Sequence, residues 1–153
     1  MTELSDLSRS LGEHPLCQGL REEDVAFLAG CAKNQRTASG AFLAREGDPA
    51  SSLFLIRSGS VALEVQRPGR VSRVETVGAG DVLGWNVLFP PHAWHLDLRA
   101  LDSVLAFAVD GACLRGKLAS DHSFGFRIAM RLLERVHNRL ERARLAQLDV
   151  LGR

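Results

Sequence analysis

Between Phe42 and Trp85 short apolar runs alternate with glycine turns at close, regular spacing. The stretch Phe42-Leu43-Ala44-Arg45-Glu46-Gly47-Asp48-Pro49-Ala50 leads into Leu53-Phe54-Leu55-Ile56-Arg57-Ser58-Gly59-Ser60-Val61-Ala62-Leu63-Glu64. After a further turn at Pro68-Gly69 comes Gly80-Asp81-Val82-Leu83-Gly84-Trp85. Strands this short, with a turn about every ten residues, close most simply into a small barrel or sandwich. Val61, Leu63 and Val65 alternate with Ala62, Glu64 and Gln66, which predicts one buried and one wet sheet face. Leu96, Leu98 and Ala100 alternate with Asp97 and Arg99 in the same way, and Val104 to Val109 is mostly apolar.

Helical periods flank this region. Leu4, Leu7 and Leu11 fall three and four apart before the break at His14-Pro15-Leu16. Arg21-Glu22-Glu23-Asp24 then places acids in the first turn of a second helix, where they suit the helix dipole. Val25, Leu28, Ala29 and Ala32 give that helix an apolar face, and the helical reading runs to about residue 34. From about Asp121 to Leu151 the helical period returns. Leu133, Val136, Leu140 and Ala143 form a stripe that Ile128, Leu132 and Leu148 widen. A helix of about 28 residues runs about 42 Å, longer than a small barrel covers. Its far end is expected to meet the same helix of a second subunit.

The fold class expected is α+β, mainly β: a jelly-roll barrel with N-terminal helices and a long C-terminal helix. One domain over 1–153 is expected, divided as 1–38, 39–110 and 111–153. Composition bounds the remainder. At 153 residues the chain can bury a real core. A net charge of +1 points to neither nucleic acid nor an anionic membrane. No apolar run spans a bilayer, and the N-terminus lacks a signal peptide pattern, so a cytoplasmic protein is expected. Cys17, Cys31 and Cys113 form no CxxC pair and are read as reduced and mostly buried.

The glycine motifs and the helix–barrel–helix order closely resemble the cyclic nucleotide-binding domain of the catabolite-activator family of bacterial regulators. The resemblance covers nearly the whole chain. It implies a phosphate-binding cassette just after Gly80-Asp81-Val82. There a glutamate takes the ribose 2′-hydroxyl, an arginine pairs with the cyclic phosphate, and backbone N–H groups complete the anion site. This chain keeps the glycine as Gly84. Trp85 stands where the glutamate is expected, and Trp94-His95 stands where Arg-Ser/Thr is expected. Arg99 lies too far along to substitute.

Losing one partner of a desolvated charge pair costs roughly 2–5 kcal/mol. A charge-assisted hydrogen bond is worth another ~1.5–3 kcal/mol. Cyclic AMP or cyclic GMP would then bind in the millimolar range. The ligand region implied by the resemblance comprises Gly84, Trp85, Asn86, Val87, Trp94 and His95. Asn138 and Arg139 of the last helix would reach over it. Three readings follow: a weakened nucleotide site, a site for another small molecule stacked on the tryptophans, or a pocket plugged by Trp85 and Trp94. The last makes the domain a ligand-free dimerisation or protein-interaction module.

Other constellations carry less. His92, His95 and Asp97 make an H-x-x-H-x-D run, but no further histidine falls on a strand to complete a metal site. No nucleophile elbow, P-loop or carboxylate pair is present, so no enzyme is expected. Arg127, Arg131, Arg135, Arg139 and Arg142 recur at near-helical spacing. They read either as a nucleic-acid face or as a solvated flank beside Glu134 and Glu141. Leu148 to Arg153 resembles the hinge before a helix-turn-helix domain. With no recognition helix following, sequence-specific DNA binding is not expected. A sensor or regulatory module that signals to a protein partner is the reading favoured.

Overall fold

Six glycines with positive φ, Gly40, Gly47, Gly59, Gly69, Gly80 and Gly84, lie between or beside strands and set the corners of the barrel. The computed structural model describes residues 2–152. Helix α1 spans Thr2–Gly12, followed by a 3-10 turn at Pro15–Cys17 and helix α2 at Glu22–Gly30. Eight strands follow: β1 Ala32–Thr37, β2 Phe42–Ala44, β3 Ser52–Ser58, β4 Val61–Arg67, β5 Arg70–Val77, β6 Val82–Leu83, β7 Asp97–Ala100 and β8 Val104–Asp110. Helices α3, Gly111–Ser120, and α4, His122–Leu151, close the chain. The strands form two antiparallel sheets ordered β1-β8-β3-β6 and β2-β7-β4-β5. This is the mainly β, jelly-roll-like architecture with flanking helices that the sequence implies.

The core fills the space between the sheets and continues beneath the helices, and Leu55, Ile56, Val61, Val82, Val104 and Val109 are fully buried in it. Leu11, Leu16 and Leu28 bring the N-terminal helices onto it, and Phe124 and Ile128 do the same for α4. Phe27 and Phe124 meet edge to face at 5.5 Å, an arrangement aromatic rings prefer. Asp121 caps α4, its carboxylate accepting from the Phe124 N–H at 3.1 Å. With 30 residues α4 extends about 45 Å and outruns the barrel. No helix among the described residues is long and apolar enough to cross a membrane.

Four expectations are corrected. The second helix ends at Gly30, not near residue 34, and Ala32 opens β1 rather than completing a helix face. Lys33, Asn34, Gln35 and Arg36 hide this strand from pattern reading. It lies at a sheet edge, pairs with β8 alone and buries little but Thr37. The barrel therefore begins before residue 39. The second face of β4 is not wet at its start, because Ala62 and Glu64 are both buried. Arg99 on β7 covers Glu64 with a bidentate pair at 2.9 and 2.7 Å, which holds that carboxyl below its ordinary range.

The cysteine reading changes as well. Cys31 follows α2 and Cys113 sits in the first turn of α3, with Cα atoms 6.1 Å apart and a disulfide between them. The β1–β8 pairing brings these two sites together, since Ala32 lies opposite Val109. Cys17 is free and buried, and burial pushes its thiol up to about 12.

Most of the arginine series on α4 turns toward the rest of the domain rather than forming a nucleic-acid face, while Arg135 pairs with Glu134 as a helix flank would. Arg127 pairs with buried Asp24 at 2.7 and 2.8 Å and keeps that carboxyl below its usual value. Arg131 donates to the carbonyls of Leu16 and Pro15 at 3.1 and 2.7 Å. Arg142 pairs with Asp81 at 2.8 Å. Arginine suits this role because its planar fork meets carboxylates and carbonyls with several donors at once. The opposite side of the helix exposes Phe126, Met130, Leu133, Leu140 and Leu148.

Candidate functional site

Strand β6 ends at Leu83, and Gly84, with a φ of 96°, turns the chain sharply into a 3-10 turn at Trp85–Leu88. No other residue fits there. A Cβ at Gly84 would stand 2.6 Å from the Ser52 carbonyl oxygen and 3.0 Å from the Trp94 ring. The following loop is pinned to residues 47–50. Gly47 N–H donates to Trp94 O at 2.8 Å, Trp94 N–H to Asp48 O at 2.9 Å, and Ala50 N–H to His92 O at 2.7 Å. These bonds fix Trp94 against the barrel, buried and stacked on Phe54 at 6.1 Å.

A cavity of about 280 Å³ opens beside this turn. Leu63, Leu83, Trp85, Trp94, Leu96 and Leu98 make most of its wall. Gly84, Asn86, His95, Glu75 and Arg139 complete it. Asn86 donates its amide to Ala93 O at 2.8 Å and so braces the loop. His95 is exposed at the rim.

Arg139 is the one arginine or lysine lining the cavity among the described residues, and it is already engaged. Its Nε and Nη2 donate to the Glu75 carboxylate at 2.9 and 2.7 Å, and Nη1 donates to Val82 O at 2.8 Å. The guanidinium also lies 4.7 Å from the Trp85 ring centroid, a cation–π contact. Glu75 thus supplies inside the cavity the negative charge that the Trp85 position lacks, and it neutralises the single fixed cation. A cyclic phosphate finds no free arginine or lysine here. The residues present therefore do not fit the anionic ligand the resemblance implies.

The expected residues separate into two groups. Gly84, Trp85, Asn86, Trp94, His95 and Arg139 are brought together at the cavity. Val87 and Asn138 are not part of its wall. Val87 is buried beneath the turn, its carbonyl accepting from Arg115 Nη1 at 2.6 Å. Asn138 is exposed. Sequence reasoning missed Glu75. Its β5 neighbours are exposed, and only the strand register, with Glu75 opposite inward-facing Leu63, reveals its direction.

In the His92, His95 and Asp97 run, Asp97 is engaged by other groups. Burial pushes the Asp97 carboxyl up, but the Glu46 N–H at 2.8 Å and Gln66 at 3.0 Å outweigh this and leave it lowered. Among the described residues no group of three or more His, Cys, Asp or Glu is placed to hold a metal ion. A more open groove of about 400 Å³ beside His14 and Phe107 lies away from the Gly84 turn.

Comparison with known proteins agrees with this geometry. The family model for the cyclic nucleotide-binding domain matches residues 34–121. A crystal structure described as a cyclic nucleotide-binding protein from Geobacter metallireducens superposes with a TM-score of 0.77 at 22% identity, covering 92% of this chain and 99% of that one. The N-terminal domain of a transcriptional regulator from Streptomyces coelicolor gives 0.66 at 29% identity, covering 90% and 94%. Among curated proteins, glutaminase 1 of Bradyrhizobium diazoefficiens is 39% identical over 74 residues, 48% of this chain and 12% of that protein. The chain therefore matches only a small part of that relative's length. With its fold, its glycine turns and more than half its length matched, the chain belongs to the cyclic nucleotide-binding domain family.

Proposed function

We propose that this chain is a ligand-responsive regulatory domain. A small molecule enters the cavity beside Gly84 and changes the position of α4. A regulator of this kind needs two arrangements and a ligand that prefers one of them. The observation that carries the reading is the open cavity closed on one side by Arg139. That residue joins the ligand space to α4 through Glu75 and Val82. A plugged module needs the tryptophans to fill this space, and they line it instead. The proposal includes pairing of two subunits through the exposed stripe containing Leu133 and Leu140. The partial likeness to glutaminase 1 supports a role in controlling an enzyme, in which this domain performs no catalysis itself.

Tryptophan fluorescence provides the test, because Trp85 and Trp94 are the only two tryptophans and both line the cavity. Cyclic AMP, cyclic GMP and a set of small aromatic molecules are titrated against the protein. A compound that changes the emission should also change hydrogen exchange along residues 133–151. Binding without any change in α4 would refute the regulatory reading.

A further inference from the structure

We infer that the cavity accepts an uncharged, flat aromatic molecule and discriminates against charged ligands of either sign; this rests on the ligand-responsive reading above. The argument is one of charge, wall chemistry and size. Both fixed charges inside the cavity belong to a single bidentate pair, Arg139 with Glu75. All three guanidinium nitrogens have acceptors, and the Arg139 side chain is only 8% exposed. An anion must separate Arg139 from Glu75 and then lie beside the released carboxylate. A cation meets Glu75 only by displacing the guanidinium, which then repels it. A neutral ligand leaves the pair intact and loses little hydration on entry.

The remaining wall favours flat rings. Trp85 and Trp94 offer aromatic surface, and Leu63, Leu83, Leu96 and Leu98 offer aliphatic surface. Aromatic ligands gain from offset or edge contact with such rings beyond simple burial. Filling about 280 Å³ at interior packing density takes roughly 210 Å³ of molecule, the size of about four fused rings, so a two-ring molecule enters without displacing the wall.

The experiment uses three naphthalene derivatives of nearly equal shape: 2-naphthol (neutral at pH 7), 2-naphthoate and 2-naphthylmethylammonium, with cyclic AMP alongside. Calorimetry and tryptophan emission are recorded for each. The neutral compound should bind at least tenfold more tightly than either charged analogue or cyclic AMP. Leu96→Trp, at a half-buried wall position, should abolish that binding while circular dichroism stays unchanged. Glu75→Gln should shift the ratio of 2-naphthoate to 2-naphthol affinity at least tenfold toward the anion, a readout that a general loss of packing does not produce. Tighter binding of a charged compound overturns the ligand class and leaves the ligand-responsive reading standing. If no compound binds the folded protein, both fall. Equal 2-naphthol binding by the wild type and Leu96→Trp places the ligand elsewhere and overturns the inference.

Discussion

Arg139 reaches from α4 into the barrel and meets Glu75 of β5 through two hydrogen bonds of 2.9 and 2.7 Å. The pair joins residues 64 apart in sequence and sets the electrostatics of the whole cavity. The arginine that could receive a phosphate is present, but its carboxylate partner arrives from a strand outside the glycine-turn segment.

Glu75→Gln should therefore convert the cavity toward anions. It keeps the side-chain shape, removes the competing charge and leaves Arg139 its bond to Val82. A charge-assisted hydrogen bond is worth ~1.5–3 kcal/mol, so cyclic AMP affinity should rise roughly 10- to 100-fold. The isolated buried guanidinium should cost about 3 kcal/mol of stability. Calorimetry with cyclic AMP and urea unfolding measure the two effects on one sample. Unchanged nucleotide affinity in a folded variant would show that the pair is not what excludes phosphate.

His14 should make stability depend on pH just below neutrality. It is buried, and burial lowers its pKa from 6.5 to about 4. Both ring nitrogens are used: Nδ1 accepts from the Leu16 N–H at 3.1 Å, and Nε2 donates to Ile56 O at 3.1 Å. A proton on Nδ1 would face the Leu16 N–H and break that bond. Between pH 6.5 and about 4 the unfolded chain binds more protons than the folded one, so stability falls as pH drops. At about 1.4 kcal/mol per unit, the loss over this window is about 3 kcal/mol. His14→Gln should flatten the slope. Urea midpoints at pH 7.5, 6 and 5 test this. The buried carboxylates of Asp24 and Glu64 act lower, because their depressed pKa values keep their contribution until pH falls below the ordinary 3.8 and 4.5. Equal slopes for the variant and the wild type would remove His14 as the cause.

These results also mark what the chain discloses before folding. The strands from β3 to β6 are legible because their turns are local chemistry, with glycine at 59, 69 and 80 where φ is positive. Helix α4 is legible from its long apolar period. Strand β1 is not, because an edge strand with a polar exposed face has neither alternation nor an apolar run. At the cavity, Gly84, Trp85 and Trp94 could be singled out from motif position. Glu75 could not, since a register irregularity between Leu63 and Glu64 separates its direction from any simple count along β4 and β5. The arginine period on α4 was visible, but a period alone does not say whether its face meets water or the barrel. That depended on Asp24, Glu75 and Asp81, which are distant in sequence.

The Cys31–Cys113 bond should contribute strongly to stability. It closes a loop across a separation of 82 residues, for which the chain-entropy estimate is about 4–5 kcal/mol. Cys31→Ser with Cys113→Ser, or reduction of the wild type, should lower the unfolding free energy by a similar amount, read from urea unfolding. A thiol assay in denaturant without reductant should find Cys17 alone. Three reactive thiols in protein purified without reductant would remove the cross-link.

The exposed side of α4 should hold two subunits together. Leu133, Leu140 and Leu148 are 59%, 46% and 62% exposed, while the inward side of the same helix is fastened to the N-terminal helical region by Arg127 and Arg131 and to the barrel by Arg139 and Arg142. An apolar stripe on a helix that outruns its own domain is covered most simply by the same stripe of a second copy. Leu133→Glu or Leu140→Glu would place a carboxylate in that seam without touching the arginine contacts, so the barrel should stay folded. Sedimentation velocity should show a dimer for the wild type at micromolar concentration and a monomer for either variant. Circular dichroism should show the same strand content in both. Because Arg139 lies beside Leu140 in sequence, separating the subunits should also change Trp85 emission through its 4.7 Å contact with the guanidinium. A wild-type monomer would end the pairing proposal. A dimer that persists in both variants would move the interface to another surface.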